Sequence, residues 1–380
     1  MKSNKKKILF INQSSGYLML DICNAFVESR KYDLLALQTG EVNIRPTVPH
    51  PALKVIKSKR YNKKSFASRI ISWAISFIHS LFLIWFKYPN AALFLVTNPP
   101  LNLFLPLFCK NRYSILIFDI YPDLLVAQGI TSKNSIFIKI WNKINKRVMN
   151  KAENVYTISN TMAEVLSRYT KKNKIEVIQL WSHCETFKPL KKSDNPFLRE
   201  IVREEKFIVL YAGNMGITHD MEVLVDVANE LSNRDDILIL YIGEGAKKKL
   251  IKQKIDMLQL TNCKILPYQP NEMLQYSIGS ADIGVITLDS ASGSLSIPSK
   301  TFTYLAVGSV ILGICDDDSQ LSHLIKKESL GASFAKDNIT EIADYIKYIA
   351  DNEKYKEKIS LNNIEFARSF TPLNALNYVK

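Results

Sequence analysis

The sequence predicts an α/β fold with two doubly wound parallel sheets, one in each half of the chain, followed by C-terminal helices. Three observations lead to this prediction. The chain has 380 residues, which is long enough for two domains. Short β-rich runs alternate with helical periods in both halves, as in successive βαβ units. The strands are apolar without polar alternation, which is typical of parallel strands covered by helices on both faces.

In the first half, β-rich runs and helical periods follow one another in a regular order. The predicted strands are Lys7–Asn12, Leu34–Thr39, Ala91–Thr97, Tyr113–Ile120, Val155–Ser159 and Ile175–Leu180. The predicted helices are Tyr17–Arg30, Leu101–Cys109, Ile136–Lys151 and Thr161–Tyr169. We therefore predict a first domain over residues 1–187 and a polar linker over residues 188–206.

The second half repeats this order. The predicted strands are Phe207–Ala212, Ile237–Ile242, Cys263–Leu266, Ile283–Leu288 and Val310–Ile314. The predicted helices are Met221–Ser232, Ala246–Leu258, Glu272–Ser280 and Ser299–Val307, with the tail helices Ile339–Ile349 and Glu353–Phe370. We therefore predict a second domain over residues 207–370. Pro372 ends the last helix, and a C-terminal segment, 371–380, could return to the first domain.

The charge of the chain is unevenly distributed. The formal net charge is +14, but residues 1–205 carry 32 lysine and arginine residues against 14 acidic ones, so the basic charge belongs to the first half. Such asymmetry indicates an anionic partner, either nucleic acid or an anionic lipid surface. No zinc-finger, RNP or KH motif is recognised in the sequence. An aromatic-rich apolar stretch in the same half favours the membrane surface over nucleic acid.

Cysteine and histidine usage indicates the compartment and the kind of site. The five cysteines are scattered, odd in number and form no CxxC pair, which indicates a reducing compartment and no zinc cluster. The five histidines show no metal-ligand spacing, so we predict neither a metal nor another cofactor. The apolar run Ile8–Ile11 is too short for a signal peptide, so we expect a cytoplasmic protein at the inner face of the cell membrane.

The longest apolar stretch is Ile70–Phe86, 17 residues without lysine, arginine, aspartate or glutamate. Three interpretations are open. The stretch is a buried helix of the first domain, an interfacial helix with Trp73 and Trp85 at headgroup depth, or a short membrane span. Cationic residues before it and Lys87 after it suit the interfacial position.

The turn Pro298-Ser299-Lys300 follows a serine- and glycine-rich loop, 290–296, that contains Ser294. The first N–H groups of a helix are unpaired and favour an anion there. A lysine in the first helical turn opposes the macrodipole, which indicates an anion that offsets this repulsion. The turn is therefore a candidate diphosphate site, although an ordinary loop and helix cap would have a similar sequence.

Two further glycine-containing turns follow predicted strands of the second half. Gly213-Asn214-Met215-Gly216 comes directly after one strand, and Gly243-Glu244-Gly245 after the next. Small residues at these positions let a phosphate or a sugar approach the backbone. A tight strand-to-helix turn needs small residues as well. Because the carboxyl ends of parallel strands share one edge of a sheet, we expect these turns to line one crevice with Lys300.

Acidic residues mark a similar position in the first half. Asp119 lies at the end of a predicted strand and is followed by Tyr121 and Asp123. A carboxylate there could orient or deprotonate a hydroxyl group. Capping of the next turn is the alternative role for Asp123. The turn Ser14-Ser15-Gly16-Tyr17 follows the first strand at the same edge.

With these motifs the chain resembles the retaining glycosyltransferases of family 4, in the branch that assembles bacterial surface polysaccharides. The motifs that carry the resemblance are Tyr211–Gly216, Gly243–Gly245, Ala281-Asp282-Ile283, Pro298–Thr301, Tyr304–Gly308, Thr97–Pro100 and Asp119–Asp123. The resemblance implies the GT-B fold, with two facing Rossmann-like domains. It also implies a nucleotide-sugar donor, commonly UDP-linked, in the C-terminal domain and a lipid-linked acceptor in the N-terminal domain, without a metal ion.

The resemblance also implies roles for individual residues. The catalytic residues would be Asp119, facing the acceptor hydroxyl, and Lys300, which binds the diphosphate with Ser299. Donor binding would involve Gly16, Gly213, Asn214, Gly216, Gly243, Glu244, Gly245, Pro267, Tyr268, Gln269, Ser294 and Thr303. Acceptor binding would involve Asn98, Asp119, Tyr121 and Asp123.

Two departures from the family pattern stand out. Leu295 and Thr303 occupy the positions where many members carry two glutamates, and no basic residue follows Gly216 closely. These departures leave two other functions open. One is a non-catalytic scaffold or sensor that binds a nucleotide sugar, and the other is a nucleotide-sugar epimerase of the same architecture.

Overall fold

The computed structural model describes residues 6–42, 47–62, 66–127, 129–183, 186–203, 206–216, 220–288 and 297–380. The chain divides into two compact units. The N-terminal unit contains the chain up to Leu180 together with Pro372–Lys380, and the C-terminal unit contains Trp181–Thr371. Each unit is built around its own parallel sheet, which confirms the predicted fold class.

A seven-stranded parallel sheet forms the centre of the N-terminal unit. The strands of this unit are β1 (Lys7–Ile11), β2 (Ser14–Ser15), β3 (Leu34–Thr39), β4 (Glu41–Val42), β5 (Leu53–Lys57), β6 (Ala92–Val96), β7 (Tyr113–Ile117), β8 (Val155–Thr157) and β9 (Ile175–Val177). The sheet has the order β5-β3-β1-β6-β7-β8-β9, and β2 pairs with β4. The strand order reverses at β1 and β6, where ligands bind in doubly wound folds.

The helices of this unit are α1 (Tyr17–Glu28), α2 (Phe66–Phe82), α3 (Asp123–Ala127), α4 (Ile136–Lys151) and α5 (Asn160–Leu166). The helix predicted over Leu101–Cys109 is a 3-10 helix over Pro100–Leu107. Pro106 has no N–H group to donate to the carbonyl four residues earlier, and its ring would clash with that carbonyl, so an α-helix is disfavoured there. The 3-10 helices Lys172–Lys174 and Pro372–Tyr378 complete the unit.

The C-terminal segment returns to the N-terminal unit, as its predicted course allows. Its 3-10 helix Pro372–Tyr378 packs against α1. The Tyr378 ring lies against that of Tyr156, with the two centroids 4.9 Å apart. The Tyr156 hydroxyl donates a hydrogen bond to the Tyr378 carbonyl over 3.3 Å. These buried contacts fix the end of the chain on the N-terminal unit.

Helix α2 has one polar, buried face and one apolar, exposed face. Ser72, Ser76 and Ser80 are buried, and the carbonyls of the first two accept hydrogen bonds from the buried Gln13 and Gln38. The helix therefore packs its serine face on the N-terminal unit. The opposite face exposes large apolar side chains, namely Ile70, Ile71, Ile75, Ile78 and Phe82, and a π-helical turn, Leu83–Lys87, extends it.

By length and composition alone, Ala67–Lys87 could cross a bilayer, and it is the one such helix within the described ranges. Its buried serines contact protein, which does not fit a helix surrounded by lipid. Its exposed isoleucines do not fit a wholly buried helix. Of the three interpretations of this stretch, the two-faced packing matches the interfacial one best.

A six-stranded parallel sheet forms the centre of the C-terminal unit. Its strands are β10 (Phe207–Ala212), β11 (Ile237–Ile242), β12 (Cys263–Leu266), β13 (Ile283–Thr287), β14 (Val310–Ile314) and β15 (Gly331–Phe334). They lie in the order β12-β11-β10-β13-β14-β15. The reversal of order between β10 and β13 again marks the position where a ligand would bind.

The helices of this unit, among the described residues, are α6 (Val223–Glu230), α7 (Lys248–Met257), α8 (Asn271–Ile278), α9 (Lys300–Ala306), α10 (Gln320–Glu328), α11 (Ile339–Asp351) and α12 (Glu353–Ala367). The predicted boundaries differ from these by a few residues. The apolar core lies between the sheet and helices α6, α7 and α11, and it includes the side chains of Leu224, Tyr241 and Ile346.

The structure departs from the sequence interpretation at three further places. The sequence analysis did not predict β5, because most of its side chains are exposed and it contains no apolar run. α10 and β15 were also missed, since β15 is a four-residue edge strand of half-buried residues. The segment predicted as a linker, 188–206, packs into the C-terminal unit. Phe197 is fully buried there, and the Asn195 amide donates to the Tyr276 carbonyl over 2.8 Å.

Candidate functional site

The two glycine turns of the C-terminal unit hold each other through their backbones. The Gly213 N–H donates to the Ile242 carbonyl over 2.9 Å, and the Met215 N–H donates to the Glu244 carbonyl over 2.8 Å. These bonds continue the pairing of β10 and β11 beyond their ends. The turns after the two strands therefore lie side by side, as the parallel-sheet argument predicts.

The glycines of the second turn are required by this backbone packing. A Cβ atom on Gly243 would lie 1.9 Å from the Gly213 carbonyl oxygen, and one on Gly245 would lie 2.3 Å from the Met215 carbonyl oxygen. Both glycines have a φ near +155° that other residues rarely adopt. Both glycines therefore allow the two turns to approach each other closely. The sequence alone could not distinguish this packing role from contact with a ligand.

Gly213 differs from these two, because the space next to it is open. A Cβ atom there would have one neighbour within 4 Å, the Lys300 Nζ atom at 4.0 Å. The Lys300 ammonium also lies 4.0 Å from the centre of the Tyr211 ring. Gly213 and Lys300, which the sequence analysis assigned to one crevice, are thus neighbours.

The Lys300 ammonium has an unusual environment. Among the residues that the structure describes, it makes no hydrogen bond or ion pair, and its contact is with the Tyr211 ring. Lys300 as a residue is only half-buried, yet the protein around its ammonium lowers its pKa from 10.5 to about 7 by desolvation. A buried cation without an anionic partner is costly, so the arrangement favours binding of an anion.

Tyr304 fixes the position of the helix that carries this lysine. Its hydroxyl accepts a hydrogen bond from the Ala212 N–H over 2.9 Å and donates one to the Leu210 carbonyl over 3.0 Å. Its ring fills the space above Gly284, where a Cβ atom would lie 2.4 Å from the ring. Tyr304 lies one helical turn after Lys300, on the same face of α9. Its hydrogen bonds to Ala212 and Leu210 attach this face to the end of β10.

The other predicted residues of this turn are partly described. Ser299 and Thr303 are half-buried, and the Thr303 hydroxyl lies 3.3 Å from that of Ser182. Ser294 and Leu295 lie outside the described residues. Helix α9 has only seven residues, so its macrodipole is weaker than the sequence analysis assumed. The Lys300 ammonium is therefore the main positive group at this turn.

The turn after β12 lies next to the turn after β11. The Gly243 N–H donates to the Leu266 carbonyl over 3.0 Å. Pro267 and Tyr268 are exposed, whereas Gln269 is buried and its amide donates to the Pro267 carbonyl over 2.8 Å. Three consecutive turns therefore meet at one edge of this sheet.

Two residues of these turns have side chains at the surface. Glu244 is exposed and pairs with Lys248 over 2.6 Å. Asn214 is exposed as well, and its carbonyl accepts a hydrogen bond from the Tyr211 hydroxyl over 2.9 Å. Gly216 ends the described part of its turn. These groups border the open space beside Gly213 and contribute polar atoms that a ligand could contact.

In the N-terminal unit, Asp119 follows β7 at the carboxyl edge of the sheet. The Phe118 and Asp119 N–H groups point to the Thr97 hydroxyl, at 3.1 and 3.4 Å. Within the described ranges, the Asp119 carboxylate makes no hydrogen bond or ion pair. The side chain is exposed, but the protein around it still raises the pKa of its carboxyl by reducing its solvation, a modest effect for a group that water reaches.

Asp123, in contrast, already has protein partners. One carboxylate oxygen pairs with Arg168 over 2.7 Å, and the other accepts a hydrogen bond from the Tyr169 hydroxyl over 2.8 Å. Asp123 is also the first residue of α3, where the helix dipole favours a carboxylate. This position fits the alternative role of capping the turn. Asp119 is the carboxylate of this segment that remains available to a substrate.

The remaining predicted residues of this unit lie near the same edge. The Tyr121 ring stacks on Trp141 with centroids 6.1 Å apart. The Asn98 carbonyl accepts a hydrogen bond from the Gln13 N–H over 2.8 Å. Gly16 precedes α1, and a Cβ atom there would meet no atom within 4 Å. Asn98 and Gly16 therefore follow β6 and β1, where the strand order reverses.

Sequence reasoning missed Tyr211 and Tyr304 as parts of this site. Both belong to motifs that carried the family resemblance, but neither had been given a role. The sequence alone could have indicated that Tyr304 lies near Lys300, because it follows Lys300 by four residues and is therefore on the same face of the helix. Tyr211 is one of four consecutive buried residues of β10, so its contact with Lys300 could be seen only in the structure.

Comparison with known proteins finds similar glycosyltransferases. Residues 194–366 match the family model described as glycosyl transferases group 1. The chain is 22% identical over 370 residues to the "Probable glycosyltransferase WbjE" of Pseudomonas aeruginosa, covering 90% of this chain and 89% of that protein.

Solved structures share the fold over almost the whole chain. The crystal structure of Anabaena HepE in complex with UDP and glucose has a TM-score of 0.72 at 12% identity and covers 98% of both chains. The crystal structure of WaaG, a glycosyltransferase involved in lipopolysaccharide biosynthesis, has a TM-score of 0.68 at 12% identity, covering 98% of this chain and 99% of WaaG. The likeness to these structures shows the GT-B fold, and residues 194–366 are similar to glycosyl transferases of group 1.

Proposed function

We propose that this protein transfers a sugar, with retention at the anomeric carbon, from a UDP-linked donor to a lipid-linked acceptor in the synthesis of a bacterial surface polysaccharide. The C-terminal unit would bind the donor and the N-terminal unit the acceptor. The names of the relatives, one of which acts in lipopolysaccharide biosynthesis, support the polysaccharide context. The UDP bound to HepE supports a uridine nucleotide.

The observation that carries the proposal is the Lys300 ammonium, which has no anionic partner among the described residues and lies beside Gly213. When the bond between the sugar and the diphosphate breaks, negative charge develops on the leaving diphosphate. A preorganised cation in a partly dehydrated site stabilises that charge. We propose that the ammonium fulfils this role and that no metal ion is needed.

Replacement of the lysine tests this assignment. Lys300→Ala should lower turnover by about 100-fold, the usual effect of removing one preorganised donor. Lys354→Ala, at an exposed lysine of α12, is the matched control and should keep wild-type turnover. A Lys300→Ala variant with unchanged turnover would contradict the diphosphate role. Addition of EDTA should leave wild-type turnover unchanged.

We propose that Asp119 orients the acceptor hydroxyl and accepts its proton as the new glycosidic bond forms. Its carboxylate is exposed and unpaired among the described residues, so Asp119→Asn should leave the melting temperature unchanged. Turnover should fall by about 100-fold or more, as for removal of a general base. Equal losses of activity and of folded protein would mean that Asp119 has a structural role.

The same assays separate this proposal from its alternatives. A scaffold or sensor would bind UDP, detected as thermal stabilisation, but would transfer sugar to no lipid acceptor. An epimerase would convert the free nucleotide sugar without an acceptor. Sugar transfer to a lipid-linked acceptor, with UDP released, is the outcome that supports the glycosyltransferase.

We also propose that the N-terminal unit binds to an anionic membrane surface through α2. Ile71, Ile75, Ile78 and Phe82 recur every three or four residues, and each is more than 40% exposed. This spacing gives one continuous apolar stripe along the helix. Trp85, half-exposed in the π-helical turn, suits the headgroup region.

A second exposed apolar group lies on α4. Ile136, Phe137 and Ile140 are each more than 50% exposed. Helices α2 and α4 both pack against the 3-10 helix Pro100–Leu107. Lysines of α4, namely Lys139, Lys143 and Lys146, alternate with its apolar residues. The sequence analysis did not identify this second group, because its three apolar residues do not form a long run.

Liposome sedimentation tests the membrane proposal. The protein should sediment with anionic liposomes at low salt and be released at about 1 M NaCl, where the Debye length is only ~3 Å. Ile75→Glu, on the exposed stripe, should reduce binding because it places a charge in the apolar contact. Leu361→Glu, at an exposed leucine of α12, is the matched control. Recovery of the wild type in the supernatant at low salt would contradict the proposal.

A further inference from the structure

Arg69, on the first turns of α2, carries a buried group without a partner. Its Nε atom is inaccessible to water and makes no hydrogen bond in the part of the chain that the structure describes. The residue as a whole is half-buried. A guanidinium has five N–H donors, and a buried donor that stays unpaired lowers stability. The position is therefore better explained by a ligand than by the fold alone.

Three polar side chains of the N-terminal unit, those of Tyr61, Tyr121 and Asp119, belong to the same electrostatic environment as this arginine. The Arg69 charge acts on the hydroxyls of Tyr61 and Tyr121, and the Asp119 charge acts on the same two hydroxyls. Burial raises the pKa of Tyr121 to about 12, and Arg69 opposes that change. The four side chains are thus close enough to interact electrostatically.

The arginine and the aspartate of this group do not neutralise each other. Opposite charges in one cluster normally form an ion pair, but none joins Arg69 to Asp119. The Tyr121 hydroxyl likewise makes no hydrogen bond to any residue that the structure describes. The cluster therefore offers a cation, a hydroxyl and a carboxylate to one substrate.

The two tyrosines are held by stacked indole rings. Tyr61 stacks on Trp73 of α2 with centroids 6.3 Å apart, and Tyr121 stacks on Trp141 of α4 with centroids 6.1 Å apart. Trp73 lies one helical turn after Arg69, so both side chains project from the same side of α2. Stacking limits the motion of the rings and keeps the hydroxyls near the arginine.

The chemistry of this cluster fits a phosphate group. The planar guanidinium presents paired N–H donors that match two oxygens of a phosphate, and a tyrosine hydroxyl can donate to a third. Asp119 would repel the phosphate itself, so it suits the sugar hydroxyl of the same molecule. A lipid-linked sugar phosphate contains both groups, separated by the first sugar.

We infer that Arg69, with Tyr121, binds a phosphate of the lipid-linked acceptor and thereby selects acceptors that are joined to their lipid through phosphate. This inference rests on the proposal that the N-terminal unit binds the acceptor. Arg69 lies on the same helix as the exposed apolar stripe, which we propose to contact the membrane. The phosphate of a lipid carrier lies at the headgroup level, next to such a helix.

A binding experiment tests the inference without requiring sugar transfer. The probes are a short prenyl diphosphate and the corresponding prenyl alcohol. The full-length wild type should bind the diphosphate more tightly, and Arg69→Gln should weaken diphosphate binding by roughly 10- to 100-fold without changing alcohol binding. Arg69→Lys should be intermediate, because lysine keeps the charge but not the paired donors. Arg30→Gln, at an exposed arginine after α1, should behave as wild type.

Two results of this experiment would overturn the inference. One is an Arg69→Gln variant that keeps the wild-type preference for the diphosphate. The other is an equal loss of binding for both probes, which would indicate a structural role for the arginine. UDP binding, measured in parallel, should be the same in wild type and in Arg69→Gln, because the nucleotide site is assigned to the C-terminal unit.

A transfer assay separates this inference from the proposed function. Two acceptors with the same sugar are compared, one linked to its lipid through a diphosphate and one through a neutral ether. Arg69→Gln should raise KM for the diphosphate acceptor by roughly 10- to 100-fold, and leave KM for the neutral acceptor and for the donor unchanged. Arg69-dependent binding without any transfer by the wild type would refute the proposed function while supporting the phosphate site.

Discussion

Replacement of Lys300 by methionine should stabilise the ligand-free protein and weaken its binding of UDP. Methionine keeps much of the length of lysine and removes its charge. Burial lowers the pKa of Lys300 from 10.5 to about 7. At a pH where the lysine is charged in both the folded protein and the unfolded chain, this difference lowers the free energy of unfolding by roughly 5 kcal/mol. Solvent screening reduces this value, and the contact with Tyr211 stabilises the ammonium by roughly 0.5–2 kcal/mol. We therefore expect Lys300→Met to gain about 1–2 kcal/mol.

The size of this gain in stability depends on pH. The pKa of Lys300 is lower in the folded protein than in the unfolded chain, so the unfolded chain binds more protons between about pH 7 and pH 10.5. The free energy of unfolding of the wild type should rise with pH across this window. The advantage of Lys300→Met should therefore be complete below about pH 7 and disappear as the pH approaches 10.5.

Chemical unfolding with and without UDP, at about pH 6 and about pH 9, measures both effects. A bound diphosphate should raise the pKa of Lys300 again, because it supplies the missing anion. UDP affinity of the wild type should then decrease above about pH 7, by up to tenfold per pH unit. Lys300→Arg stays protonated and should lack this decrease. A Lys300→Met variant that is less stable than wild type at about pH 6 and binds UDP equally well would refute the reasoning.

Three further substitutions test contacts that stabilise the C-terminal unit, each by chemical unfolding. Asp282→Ala should destabilise the protein by roughly 1–3 kcal/mol, because the buried Ile208 N–H loses its acceptor and Lys192 loses its ion pair. Gly243→Ala should destabilise the protein by more than about 3 kcal/mol, because its new Cβ would overlap a backbone oxygen. Gly16→Ala is the control and should change stability by less than about 1 kcal/mol, because a Cβ there meets no atom within 4 Å. Tyr304→Phe should cost about 1–3 kcal/mol, because a buried N–H loses its acceptor.

The sequence was sufficient to predict four of the six strands of the C-terminal unit with their bounds. β10, β11, β12 and β14 begin and end where the apolar runs predict, since buried parallel strands are continuous apolar segments bounded by turns. The same argument explains why the edge strands β5 and β15 were missed. An edge strand has fewer buried side chains and hence a weaker apolar signal. The boundary of the two units differs from the prediction because a polar composition does not prevent a segment such as 188–206 from packing.

The candidate site was predictable in its location and less so in its contacts. Parallel-strand topology alone indicates that the turns after β10 and β11 meet, and the structure brings them together. The close approach of Gly243 to Gly213 and the contact of Lys300 with the Tyr211 ring are tertiary contacts without a local sequence pattern. The loop that contains Ser294 lies outside the described residues, so its predicted role stays a prediction.

The two units share one energetic feature that links the fold to the proposed reaction. Each contains a partly buried cation without an anionic partner among the described residues, Lys300 in the C-terminal unit and Arg69 in the N-terminal unit. The buried Asp282 carboxylate, in contrast, pairs with two lysines. A fold selected for stability alone would replace the unpaired cations, because apolar residues of similar size are often more stable there. Their retention is explained if each meets a phosphate of a different substrate, the donor diphosphate at Lys300 and the acceptor phosphate at Arg69. Lys300→Met and Arg69→Met should therefore both raise the stability of the free protein, and each should weaken recognition of only one substrate.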